Sequence, residues 1–100
     1  MTALVIGRME SVVSAAIAVL REEGFEAVGV TTDGDAVAQI NTGKITALVI
    51  GGGVGWGSRR LLRKAAEAHG TAVIQGAMGG GSFADYVRGQ IVPGLRAAGA

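Results

Sequence analysis

The chain has 100 residues, of which 49% are hydrophobic and 17% charged, with a formal net charge of +1. That length holds one domain and no separate substrate domain, and that composition builds a core, which excludes an acidic or basic disordered tail. With no cysteine and a single histidine, disulfides, thiolate zinc sites, a cysteine nucleophile and histidine-rich metal clusters are excluded as well. The near-zero net charge offers nucleic acid no whole-molecule attraction, and the short apolar runs fall far below the length of a membrane span. The opening MTALVIGRMES has neither a basic leader nor a long apolar stretch, so no signal peptide, no membrane partner and a cytoplasmic location are expected.

Taken in chain order, apolar runs alternate with segments of helical spacing. Residues 3–6 form the first run, and residues 11–23 follow with a broad stripe of Val12, Val13, Ala16, Ile17, Val19 and Leu20 that ends in Arg21, Glu22 and Glu23. A second run at 27–30 leads into a shorter helix at 35–41, built on Val37 and Ile40. A third run at 45–50 precedes a helix at 58–69 carrying Leu61, Leu62, Ala65 and Ala66. The fourth run, 71–74, precedes a helix at 82–98 in which Phe83, Val87, Ile91 and Leu95 recur at steps of four. None of the four runs alternates with polar residues, which is what strands covered on both faces require.

The punctuation agrees with this reading. Gly24, Gly43 and Gly70 follow helices, where a left-handed residue closes the C-terminus, and Ser11, Asp33 or Asp35, Ser58 and Ser82 stand where side-chain oxygens can cap helix starts. Strand–helix alternation repeated four times predicts a single three-layer α/β/α sandwich with a four-stranded parallel sheet. The expected strand order is the flavodoxin-like 2-1-3-4, with the Rossmann-like 3-2-1-4 as the alternative. Gly89 and Pro93 predict a kink or break in the last helix, because proline has no N–H to donate. The last strand would form an open edge with little charge to discourage pairing, so a homodimer is expected.

Ligands of open α/β sheets collect beyond the carboxyl ends of the strands. Two glycine-rich connections lie there: Gly51, Gly52, Gly53, Gly55, Trp56, Gly57 and Ser58 after the third strand, and Gly79, Gly80, Gly81 and Ser82 after the fourth. Such loops expose backbone N–H groups to an anion, and the next helix start adds positive potential. Residues 79–84 satisfy G-x-G-x-x-A and residues 53–58 miss it only at the end, but the first strand-to-helix turn, where a dinucleotide fingerprint belongs, reads Gly7-Arg8-Met9-Glu10-Ser11. The plainer alternative is that the glycines only permit tight turns.

Charge points to the same end of the sheet. Residues 1–50 carry three Lys/Arg against six Asp/Glu and residues 51–100 carry six against two, a net −3 and +4. Arg8, Arg59 and Arg60 stand near helix starts, where the dipole disfavours cations, so a bound anion is one explanation, and a solvated helix face or an ion pair with Glu10 or Asp85 the other. Trp56 can stack on a base, anchor a subunit contact or cover the core edge. His69 reads as a helix C-terminal residue, and Asp33-Gly34-Asp35 as a turn and cap rather than a metal site. Arg59, Arg60, Arg63 and Lys64 form a poor nucleic-acid footprint without an aromatic platform.

From residue 3 to about 75 the chain resembles the receiver domain of bacterial response regulators. The likeness rests on a first strand with a short turn to Ser11, on Leu20-Arg21-Glu22-Glu23-Gly24-Phe25-Glu26-Ala27, on Asp33-Gly34-Asp35-Ala36-Val37 and on Ala47-Leu48-Val49-Ile50. Receivers carry an acidic pair after the first strand, where Gly7 and Arg8 stand here, and a phosphoacceptor aspartate after the third, where Gly51 or Gly52 stands. The resemblance therefore implies a degenerate receiver-like module without the magnesium and phosphorylation site, acting by association.

No nucleophile, base or metal constellation is legible, so an enzyme is the least favoured reading. The preferred expectation is a noncatalytic binding domain for an anionic small molecule, a nucleotide or dinucleotide, held by the two glycine loops with Arg8, Arg59 and Arg60.

Overall fold

The four apolar runs pair side by side as parallel strands: β1 (Thr2–Ile6), β2 (Glu26–Val30), β3 (Ile45–Ile50) and β4 (Ala72–Gln75). The computed structural model describes residues 2–51, 53–75 and 87–97. The sheet order is β2-β1-β3-β4, the flavodoxin-like arrangement. The 3-2-1-4 alternative does not form, because Leu4 of β1 lies opposite Val28 of β2 on one side and Leu48 of β3 on the other. Strand chemistry explains the choice. In β1 the residues Ala3, Leu4, Val5 and Ile6 are all buried, and in β3 only Thr46 is not, so both take central places. β2, with Glu26 and Gly29 exposed, suits an edge.

Helices cover both faces. Ala3, Val5, Ala47 and Val49 point to one layer, where α1 (Glu10–Glu22) supplies Val13, Ala16 and Leu20 and the C-terminal segment supplies Val87, Ile91 and Leu95. Leu4, Ile6, Leu48 and Ile50 point to the other, against Ala36 and Ile40 of α2 (Asp33–Ile40) and Leu62 and Ala66 of α3 (Trp56–Ala68). Each strand thus feeds two cores, which is why its apolar run is continuous. α1 presses closely on β2: a β-carbon on Gly29 would collide with Ile17 and Val13, so glycine there permits the approach.

Gly24, Gly43 and Gly70 take positive φ of 88, 75 and 67° and close the three helices, as their positions predicted. The helix starts differ from expectation. α1 begins on the Met9 carbonyl, which accepts from the Val12 and Val13 amides at 3.1 and 3.0 Å, so Ser11 lies inside the helix rather than capping it. Thr32, extended at φ −119° and ψ 153°, caps α2 by accepting the Asp35 amide; the cap is neither Asp33 nor Asp35. Gly55 is the N-cap of α3 without a side-chain hydrogen bond, which places Ser58 in the first turn.

At the C-terminus a π-helical turn, Val87–Ile91, runs into a short helix α4, Val92–Ala97. Pro93 has no N–H and its ring crowds the carbonyl of Gly89, and a widened preceding turn relieves both. Arg88 fixes this segment to α1, donating at 2.9 Å to Glu22 and at 2.9 Å to Glu23. The earlier part of the expected 82–98 helix, with Phe83, lies outside the described residues. Among the described residues, no helix is long and apolar enough to cross a membrane.

Candidate functional site

The reversal of strand order falls between β1 and β3, and the chain leaves both at glycines. The Gly51 amide donates to the Ile6 carbonyl at 2.8 Å, and a β-carbon on Gly51 would stand 3.1 Å from that oxygen. Only glycine permits this approach without a shift of backbone. The connection then passes over Arg8 at Gly53, is pinned by buried Val54, and opens to solvent at Gly55 and Gly57.

One side of α3 closes a polar network with this end of the sheet. Arg8 Nη1 donates to the Thr31 carbonyl at 2.9 Å, and its Nη2 donates to Asp33 Oδ1 at 2.7 Å and to Ser58 Oγ at 2.9 Å. Ser58 Oγ in turn donates to Asp33 Oδ2 at 2.6 Å. The Ser58 hydroxyl, followed by the Arg8 guanidinium, holds the Asp33 carboxyl below the usual carboxylate range. Arg8 and Ser58, both expected at an anion site, are brought together here on Asp33. The partner of Arg8 is Asp33 rather than Glu10.

Arg59 is also engaged internally. Its Nε donates to the Val54 carbonyl at 2.8 Å, Nη2 to the Gly51 carbonyl at 2.8 Å, and Nη1 to Gln75 Oε1. The planar fork clamps the glycine connection and ties it to the end of β4, a geometry lysine does not reproduce. Because α3 begins at Trp56, Arg59 and Arg60 lie beyond its first turn, where the dipole penalty has largely decayed.

The solvent side of α3 is built differently. Trp56 is 77% exposed and does not cover the core edge, because Leu62 and Ala66 occupy the buried face of the helix. The guanidinium of Arg60, one turn on, lies 5.9 Å from the Trp56 ring centroid, within cation–π range. Arg63, Lys64 and Glu67 continue this face, and together with Arg59, Gln75, Trp56 and Arg60 they line a cleft of about 550 Å³. Among the described residues, neither Arg63 nor Lys64 has an ion-pair partner.

Arg63, Lys64, Glu67 and Gln75 were not among the expected site residues. The signal was present in the sequence: counted from Trp56, the offsets four, seven, eight and eleven return to one helix face. A helix start at residue 58 leaves Trp56 in a loop and hides that register. His69 closes α3 with its Nε2 3.0 Å from Asn41 Oδ1, a tie between α3 and α2. Among the described residues, no group of three or more His, Cys, Asp or Glu is placed to hold a metal ion. Gly52, Gly79, Gly80, Gly81 and Ser82, and with them the expected facing of the two loops, lie outside the described residues, as does Asp85.

Comparison with known proteins returns no match to a family model, to a curated protein or to a solved structure.

Proposed function

We propose that this chain is a noncatalytic binding domain for an anionic small molecule of nucleotide type, held where the glycine connection after β3 runs into α3. The observation that carries this reading is the cleft on the solvent side of α3, where Arg60, Arg63 and Lys64 stand together beside an exposed tryptophan. Like charges spaced one turn apart cost a helix stability, and an anion between them turns that repulsion into attraction. Arg8 and Arg59 shape the site by holding the connection, and Arg60 sits over the Trp56 ring beside the guest.

Thermal denaturation against nucleotides, dinucleotides, phosphate and sulfate tests the proposal. A ligand at 100 times its Kd stabilises the fold by about 2.7 kcal/mol, so the melting temperature should rise with nucleotides. Arg60→Ala combined with Lys64→Ala should remove the rise while changing the stability of the free protein by no more than about 0.5 kcal/mol. A rise that survives the double substitution moves the site elsewhere.

A second reading, a receiver-like interaction module acting as a homodimer, is favoured by β4. It stands at the end of the sheet order, and its residues Ala72, Val73, Ile74 and Gln75 carry no charge to deter another strand. Light scattering that finds a stable dimer, with no anion altering the melting temperature, selects this reading over the first.

A further inference from the structure

Resting on the anion-binding reading, we propose that the occupant of the α3 cleft is a nucleoside diphosphate, with its base on the outer face of Trp56 and its phosphates at Arg63 and Lys64.

The guanidinium of Arg60 lies over one face of the Trp56 ring, 5.9 Å from its centroid, and the residue as a whole is 77% exposed. A cation on one face of an indole leaves the other open to a flat π-system, so a base completes a three-layer stack of guanidinium, indole and base. Stacking of this kind accepts any base, because every base presents a π-face. An aliphatic anion would leave this surface in water.

Charge favours more than one phosphate. The cleft gathers four cations, Arg59, Arg60, Arg63 and Lys64, against the single carboxylate Glu67, and Arg59 keeps its charge although its donors are committed to carbonyls. A net of three positive charges exceeds the charge of about −1.5 to −2 on a phosphate monoester, and a second phosphate makes up the difference. Spacing agrees. Trp56 and Arg63 are seven residues apart on one helix, which places them about 10.5 Å apart along the axis. A base joined through ribose to two phosphates bridges that span.

The test uses the whole chain, with ADP, AMP, adenosine and inorganic pyrophosphate as probes. Trp56 is the only tryptophan, so its fluorescence reports base contact directly, and calorimetry supplies the affinities. ADP should quench Trp56 and bind about tenfold more tightly than pyrophosphate, an advantage of the size that stacking on an aromatic side chain provides, and more tightly than adenosine, which has no phosphate to meet Arg63 and Lys64. Trp56→Leu should cancel the advantage over pyrophosphate and leave pyrophosphate binding unchanged, while Trp56→Phe restores part of it. Arg63→Ala with Lys64→Ala should bring ADP down to the affinity of AMP. Equal binding of ADP and pyrophosphate with unmoved fluorescence overturns the diphosphate nucleoside assignment and leaves the anion site standing. Failure of every phosphate compound to bind overturns both. A single-stranded oligonucleotide that binds more tightly than ADP and also quenches Trp56 overturns the small-molecule assignment in favour of nucleic acid.

Discussion

The two sides of α3 carry similar residues and put them to opposite uses. Toward α2, Arg8, Asp33 and Ser58 satisfy one another, and a guanidinium, a carboxylate and a hydroxyl form a closed unit of matched charge. Toward solvent, Arg60, Arg63 and Lys64 meet no such partner among the described residues, and the largest aromatic ring of the chain stands beside them in water. Polar groups that satisfy each other hold a fold in place, whereas cations left together beside an exposed ring have free energy to gain from a guest. Charge near a helix start does not by itself distinguish the two cases. Partnership does.

The comparison depends on α3 staying where it is, and the largest expected effect comes from its buried anchor. Leu62 is 0% exposed in the core beneath α2 and α3, and Leu62→Ala should cost about 2–5 kcal/mol in chemical denaturation, loosening both sides of the helix together. A smaller loss should follow Arg59→Ala, about 1–2 kcal/mol, because the carbonyls of Gly51 and Val54 lose a charged donor. Arg59→Lys should restore only part of it, since an ammonium cannot span both acceptors. Full restoration by lysine would mean that charge, not the fork, braces the loop.

The smallest effect should come from titrating the closed network. Asp33 has its pKa lowered from 3.8, so folding favours its ionised form. That contribution is complete above about pH 5, where the unfolded carboxyl is already ionised, and is lost as pH falls through 3.8 toward the lowered value of the folded state. With the Asp33 side chain 31% exposed, solvent screening limits the contribution to less than about 1 kcal/mol. Denaturation of Asp33→Asn and the unaltered protein between pH 3 and 7 should show the two stability curves converging in acid. A gap that widens instead would mean that the network does not stabilise the fold.

Much of the architecture was legible in the sequence because it depends on local patterns. Residues 45–50 form a short, continuous apolar run between Gly43 and Gly51, the pattern of a strand buried on both faces, and Gly24, Gly43 and Gly70 mark helix ends through their own backbone freedom. Helix starts were less legible. Met9 and Gly55 begin α1 and α3 without a side-chain cap, so the serines that resembled caps, Ser11 and Ser58, pointed two and three residues too far along. That small displacement decided how the site was read, because it set Trp56 apart from the helix whose face it shares.

The sequence alone determined that four strands alternate with helices in a parallel α/β sandwich, since hydrophobic runs and glycine punctuation act over a few neighbouring residues. It also determined that positive charge gathers in the second half of the chain. Only the tertiary structure decided which arginines are partnered: Arg8 meets Asp33 from 25 residues away and Arg59 meets Gln75 from 16. Hydrogen bonds across such separations depend on how the elements pack, and no local pattern encodes them. What remains unpartnered on α3 is therefore a property of the folded molecule.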